Sequence, residues 1–111
     1  MIVVVPREVF PGERRVALVR EGVRRLTAIK ISALVAGGAG QAAGFSDDEY
    51  SRAGGRLESS AQRLFEQSDL LVKIQPPSIL EVEQLRRGAT LLCLFTHAIT
   101  PRRHSVLATA G

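Results

Sequence analysis

The stretch "ISALVAGGAGQAAGFSDDEY", residues 31–50, reads as a strand, a glycine-rich turn and the start of a helix. ISALVA (31–36) is a short apolar run bounded by breakers, the pattern of a strand buried on both faces. GGAGQAAG (37–44) ends it, because glycine supplies backbone conformations that other residues avoid. In FSDDEY, Ser46 stands three residues before Glu49, the spacing of a capping box, and Asp47 and Asp48 suit the positive end of a helix. Strand, loop and helix in this order form the unit from which helix-covered parallel sheets are built.

The flanking sequence repeats that unit. IVVV (2–5) is β-branched and bounded by Pro6, a buried strand. After the Pro11-Gly12 turn, Val19, Val23, Leu26 and Ile29 share one face of a helix over about residues 19–29. Downstream, RLES (56–59) is a weak strand, SAQRLFEQS (60–68) a helix and LLVKI (70–74) a strand broken by Pro76-Pro77. SILEVEQLRR (78–87) is a helix that Ser78 can cap and Gly88 can end, and TLLCLF (90–95) is the next strand. PRRHSVLATAG (101–111) is expected to open another helix with Pro101 at its first position. The expected fold is α/β: an open, mainly parallel sheet with helices on both faces, three layers in the Rossmann-like or flavodoxin-like manner. Right-handed crossovers then bring every strand's C-terminal end to one edge, where such sheets bind ligands. Residues 1–111 read as one domain, and the ending "ATAG" reads as a cut within a longer chain.

Composition narrows the function classes. With 45% hydrophobic and 23% charged residues, the chain has the balance of a soluble globular domain. Its net charge of +4 comes from arginine pairs scattered over four segments, with 5% aromatic residues available for stacking. That is not the footprint of a nucleic-acid-binding protein, and no nucleic-acid partner is expected. The lone Cys93, inside TLLCLF, excludes an internal disulfide and reads as a small buried hydrophobe. No run approaches the about 18 apolar residues of a membrane helix, and no His, Cys and carboxylate cluster has metal-ligand spacing. The carboxylates Asp47, Asp48 and Glu49 read as helix-start charges.

Gly38-x-Gly40-x-x-Ala43 matches a form of the dinucleotide fingerprint, and Glu58 lies near the distance expected of a ribose-binding acid. The fingerprint, however, requires a helix to open within the motif so that its N-terminus meets the pyrophosphate. Here the helix start comes only at Ser46, after Gly44-Phe45. The glycines therefore read as a loop permitting tight turns and close approach.

Four separated motifs, "VPREVFPGERRVAL", "GAGQAAGFSDDEY", "AGGRLESS" and "DLLVKIQPPS", resemble the N-terminal domain shared by alanine dehydrogenases and the α subunit of proton-translocating NAD(P) transhydrogenase. The resemblance runs in unbroken order from residue 2 to about residue 95. It implies a second, dinucleotide-binding domain beyond these residues that holds NAD(H), NADP(H) on a partner subunit, membrane subunits as partners and a homodimer. It also implies a cytoplasmic protein, peripheral on the inner membrane face, and a fragment inactive alone. The implied reaction is hydride transfer from NADH to NADP⁺ coupled to proton movement.

Within the family, "KIQPP" is similar to the transhydrogenases. Alanine dehydrogenases have a lysine where this chain has Gln75, which can supply neither the charge nor the proton. They also use an arginine matching Arg15 to hold the substrate carboxylate, and a catalytic histidine that His97 misses by one residue in ungapped alignment. Alanine dehydrogenase is the alternative, and a non-catalytic binding or dimerisation module a third reading. The family's Thr-Pro at the first helix is Val19-Arg20 here, and Lys30 replaces a glycine before the second strand.

The candidate cleft residues are Arg15, Lys73 and Gln75. Arg15 either faces the cleft, where its fork could clasp a carboxylate, or pairs with Glu8 or Glu13. Lys73 either enters the cleft or snorkels to solvent. Gln75 either enters the cleft or steadies the turn beside Pro76-Pro77. His97 is the candidate acid–base residue. Arg14 reads as solvated, and His104 as helical and exposed.

Overall fold

The computed structural model describes residues 1–94 and the strand Val106–Thr109. The element order is β1 (Ile2–Val5), α1 (Arg20–Ala28), β2 (Ser32–Ala36), α2 (Asp47–Arg52), β3 (Arg56–Glu58), α3 (Ala61–Glu66), β4 (Leu70–Lys73), α4 (Ile79–Gln84), β5 (Thr90–Cys93) and β6 (Val106–Thr109). The sheet order is β3-β2-β1-β4-β5-β6. The first five of these strands pair in parallel, and β6 runs antiparallel to β5.

Alternation along the strands builds two cores. Val3, Val5 and Val35 face one side of the sheet and pack with Val23 of α1 and Tyr50 of α2. Val4, Leu34 and Leu71 face the other side, against Leu64 and Phe65 of α3. A strand apolar at every position is what burial on both faces demands. The expected open α/β sheet with helices on both faces is the one observed.

One expectation is overturned. The segment 101–111 was expected to be helical, yet Val106–Thr109 is a strand, with Val106 opposite Cys93 and Thr109 opposite Thr90. The physical reason is the open edge of β5: pairing there gives backbone groups a ladder that a helix would leave unused. Pro101 and His104 lie outside the described residues.

Local signals act as the sequence suggests. Both Ser46 with Glu49 and Ser78 with Glu81 form complete capping boxes. The first helix, α1, has Val19 at its N-cap position, which supplies no side-chain hydrogen bond. Lys30 adopts φ 64°, the left-handed backbone that a glycine would accept with less strain.

Candidate functional site

The site is set by topology. From β1 the chain moves to β2 on one side, and from β4 to β5 on the other, so the C-terminal ends of β1 and β4 flank the point where the winding reverses. Open α/β sheets present their crevice there. In this chain a carboxylate fills its base. Glu8, three residues beyond β1, accepts the backbone N–H groups of Ile74 (2.8 Å) and Gln75 (3.2 Å). These are donors that the end of β4 would otherwise leave unpaired.

Lys73 completes this floor. Its ammonium lies 3.5 Å from Glu8 and 3.2 Å from Glu81, and its side chain is 1% exposed. Glu81 also accepts the Ser78 N–H at 2.8 Å, so one carboxylate both caps α4 and ties it to the strand. That tie matters because α4 buries no residue of its own. Two carboxylates around one buried ammonium satisfy charges that would be costly alone.

A second cluster sits above it. The Gln75 side-chain amide donates to Glu13 Oε1 at 2.8 Å. Arg15 grips the same carboxylate with Nε (2.9 Å) and Nη2 (2.8 Å), and its backbone N–H adds a third bond at 2.9 Å. The Glu13 side chain is only 4% exposed while Arg15 remains 60% exposed. Arg15 foremost, aided by the Gln75 amide and the Arg15 backbone, lowers the Glu13 carboxyl to about 2 against the opposing effect of burial. Glu13 is therefore an anion at any physiological pH. Gln75 Oε1 is buried and has no hydrogen-bond partner among the described residues.

Two cavities open around this cluster. One of about 300 Å³ lies between the arginine loop and the glycine turn, lined by Arg7, Glu8, Arg14, Arg15 and Gly38. Another of about 360 Å³ is bounded by Phe10, Gly12, Glu13, Arg14, Arg15 and Gln75. Arg14 and Arg15 form walls of both.

The glycine turn is built for packing. A Cβ on Gly40 would stand 2.6 Å from the Tyr50 ring and 2.9 Å from Phe45 Cβ. Tyr50 is fully buried and donates its hydroxyl to the Leu18 carbonyl at 2.8 Å, which joins α2 to the end of the arginine loop. The Gly38 N–H donates to Asp47 Oδ1 at 2.8 Å. A 3-10 turn, Gln41–Ala43, follows instead of a helix docked on the sheet, and α2 begins at Asp47. Glu58 accepts the Ser60 N–H at 3.1 Å, within its own turn.

Arg15 and Gln75 thus meet, through Glu13, beside a cavity. Lys73 turns to Glu8 and Glu81 and does not snorkel to solvent. His97 lies outside the described residues. Sequence reasoning missed Glu8 as the crevice plug and Glu81 as the partner of Lys73; the S-x-x-E spacing of SILE marked Glu81 only as a cap. Cys93 is buried, and burial raises its thiol pKa, which disfavours a thiolate. Among the described residues no three His, Cys, Asp or Glu side chains are grouped to hold a metal ion, and no helix is long and apolar enough to cross a membrane.

Comparison with known proteins agrees with this architecture. The chain is 43% identical over 90 residues to an NAD(P) transhydrogenase subunit alpha of Cereibacter sphaeroides, covering 81% of this chain and 17% of that protein. It is 38% identical over 91 residues to an alanine dehydrogenase of Halomonas elongata, covering 82% and 24%. The solved transhydrogenase of Sinorhizobium meliloti superposes with a TM-score of 0.80 at 32% identity, over 85% of this chain and 28% of that one. An L-alanine dehydrogenase structure gives 0.82 at 28% identity, over 92% and 28%. The chain therefore spans a quarter or less of the two curated relatives. The sequence model of the family described as "Alanine dehydrogenase/PNT, N-terminal domain" matches residues 4–111, and the chain belongs to that family.

Proposed function

We propose that this chain is the N-terminal domain of an NAD(P) transhydrogenase α subunit, part of an enzyme that transfers hydride between NADH and NADP⁺ and couples it to proton translocation. The observation that carries this reading is Gln75. Its neutral amide is hydrogen-bonded to Glu13, and the neighbouring Lys73 is buried between Glu8 and Glu81. The position where an alanine dehydrogenase would need a lysine offers neither a cation nor a proton to a 2-oxo acid.

In this reading NAD(H) is held by a second domain, NADP(H) by a partner subunit, and the assembly is a homodimer on the cytoplasmic face of the inner membrane. Arg15 and Gln75 face the cleft between domains. Lys73 serves it indirectly by fixing Glu8. His97 is the remaining acid–base candidate. The 111 residues alone are inactive. Alanine dehydrogenase is the second reading, favoured by Arg15 standing at a cavity wall.

The complete protein with its partner subunits distinguishes the two. NADH-dependent reduction of an NADP⁺ analogue is expected; oxidation of NADH that requires pyruvate and ammonium would replace the proposal with the second reading. Neither activity would leave the non-catalytic module. In the same protein Arg15→Ala is expected to weaken nucleotide or substrate binding, and unchanged affinity would remove Arg15 from the site.

A further inference from the structure

We propose that a cavity at the opposite edge of the sheet, walled by Lys30 and Arg56, is a site for a free phosphate group. It involves neither the crevice at β1 and β4 nor the transhydrogenase reading. The turn from α1 into β2 and the turn from α2 into β3 meet at the N-terminal ends of these strands. A Cβ on Gly54 would stand 2.6 Å from Thr27 Oγ1, so the two turns are in close contact. Beside that contact lies a cavity of about 200 Å³ lined by Thr27, Lys30, Ser32, Gly54 and Arg56. Both of its charged residues are cations, and neither forms an ion pair among the described residues.

The carboxylates of the neighbouring elements are engaged elsewhere. On α1, Glu21 pairs with Arg24. On α2, Asp47 accepts the Gly38 N–H, Asp48 pairs with Arg52 and Glu49 caps its own helix. At the end of β3, Glu58 accepts the Ser60 N–H. Nor are the two cations required at the helix ends, where positive side chains often serve free carbonyls. The Leu26 carbonyl already accepts the N–H groups of Ile29 and Ile31, and that of Thr27 accepts Lys30. The Glu49, Tyr50 and Ser51 carbonyls accept Ala53, Gly55 and Gly54. Lys30 is also held at φ 64°, a backbone that favours glycine, and a strained residue in a cavity wall points to a role other than packing. Two like charges lining one space repel until an anion lies between them. The arginine fork matches phosphate oxygens, the lysine adds a point charge, and the Ser32 hydroxyl supplies a further donor at the wall. At about 200 Å³ the space is below the range of drug-sized pockets, which suits a group as small as phosphate.

The test uses the complete protein and the reactivity of the Lys30 amine. These 111 residues hold two lysines, of which Lys73 is 1% exposed and Lys30 is exposed. An amine-acylating reagent followed by peptide mass spectrometry therefore reads Lys30 directly, with Lys73 as the internal control. Inorganic phosphate at about 10 mM, with ionic strength held constant by chloride, is expected to slow Lys30 acylation about threefold, the protection given by a site with a Kd of about 5 mM. Acetate should protect less. Arg56→Gln should remove the protection while Lys73 stays unreactive, the sign of an intact fold. No slowing by phosphate beyond that by chloride would overturn the proposal, because screening alone would then account for the two cations. Protection that survives Arg56→Gln, or equals that by acetate, would overturn it too. So would protection by vesicles containing phosphatidate but not by inorganic phosphate, which would indicate a membrane contact instead. The comparison of phosphate with chloride requires no variant to fold.

Discussion

The loop after β1 and the glycine turn after β2 leave the same edge of the sheet, yet they are built on opposite principles. The glycine turn carries a sequence associated with ligands and is used for packing: Gly40 lacks a side chain because Tyr50 and Phe45 occupy its place. The loop after β1 looks like charged surface and holds buried polar chemistry, with Glu8 and Glu13 3% and 4% exposed. Glycine spacing records backbone permission, which many structures need. Buried carboxylates are costly unless partnered, so their presence in a crevice is the more informative sign.

The strongest test of this contrast is Lys73→Met. It would leave Glu8 and Glu81 without their shared cation and is expected to cost roughly 3–5 kcal/mol in denaturant unfolding. A loss below about 1 kcal/mol, the scale of exposed ion pairs, would mean that the loop after β1 is ordinary surface after all.

Gly40→Ala probes the other side. The backbone there has φ −94°, open to any residue, so the cost is steric alone and is expected at about 1–3 kcal/mol. If stability held and NADH affinity of the complete protein fell instead, the glycine turn would be a nucleotide loop and the contrast would fail.

Two smaller effects sharpen it. Lys30→Gly relieves a left-handed residue away from both loops and should raise stability by about 1 kcal/mol, read as a higher melting temperature. Glu13 should appear in acid. Its pKa is lowered from an ordinary 4.5 to about 2, so its contribution is complete above the unfolded value and is lost as pH falls from about 4.5 toward 2. Glu13→Gln should flatten the acid limb of a melting-temperature profile within that window. The effect is moderated because Arg15, its main partner, is exposed to screening water. An unchanged limb would show that the Gln75–Glu13–Arg15 cluster is open in solution.

Much of the fold was legible because its causes are local. A strand such as IVVV, apolar at every position, declares burial on both faces, and Val3 and Val5 do enter one core while Val4 enters the other. The capping boxes at Ser46 and Ser78 follow from hydrogen bonds three residues apart. The exception was residues 101–111. Pro101 is a local signal, but the open edge of β5 is a tertiary one, and it governs Val106–Thr109.

The sequence by itself determined the alternation of strands and helices, the two-faced burial of the sheet and the helix starts, because periodicity and short-range hydrogen bonds require no knowledge of distant partners. Only the tertiary structure decided which charges meet. Glu8 reaches the N–H of Ile74 across 66 residues, and Gln75 reaches Glu13 across 62. Those contacts exist because β1 and β4 lie side by side at the reversal of the winding. A one-dimensional pattern identifies Arg15 as a polar residue in the loop after β1, and Lys73 and Gln75 as polar residues at the end of β4; the pairing of strands turns Lys73 into a buried structural charge and the other two into the wall of a cavity.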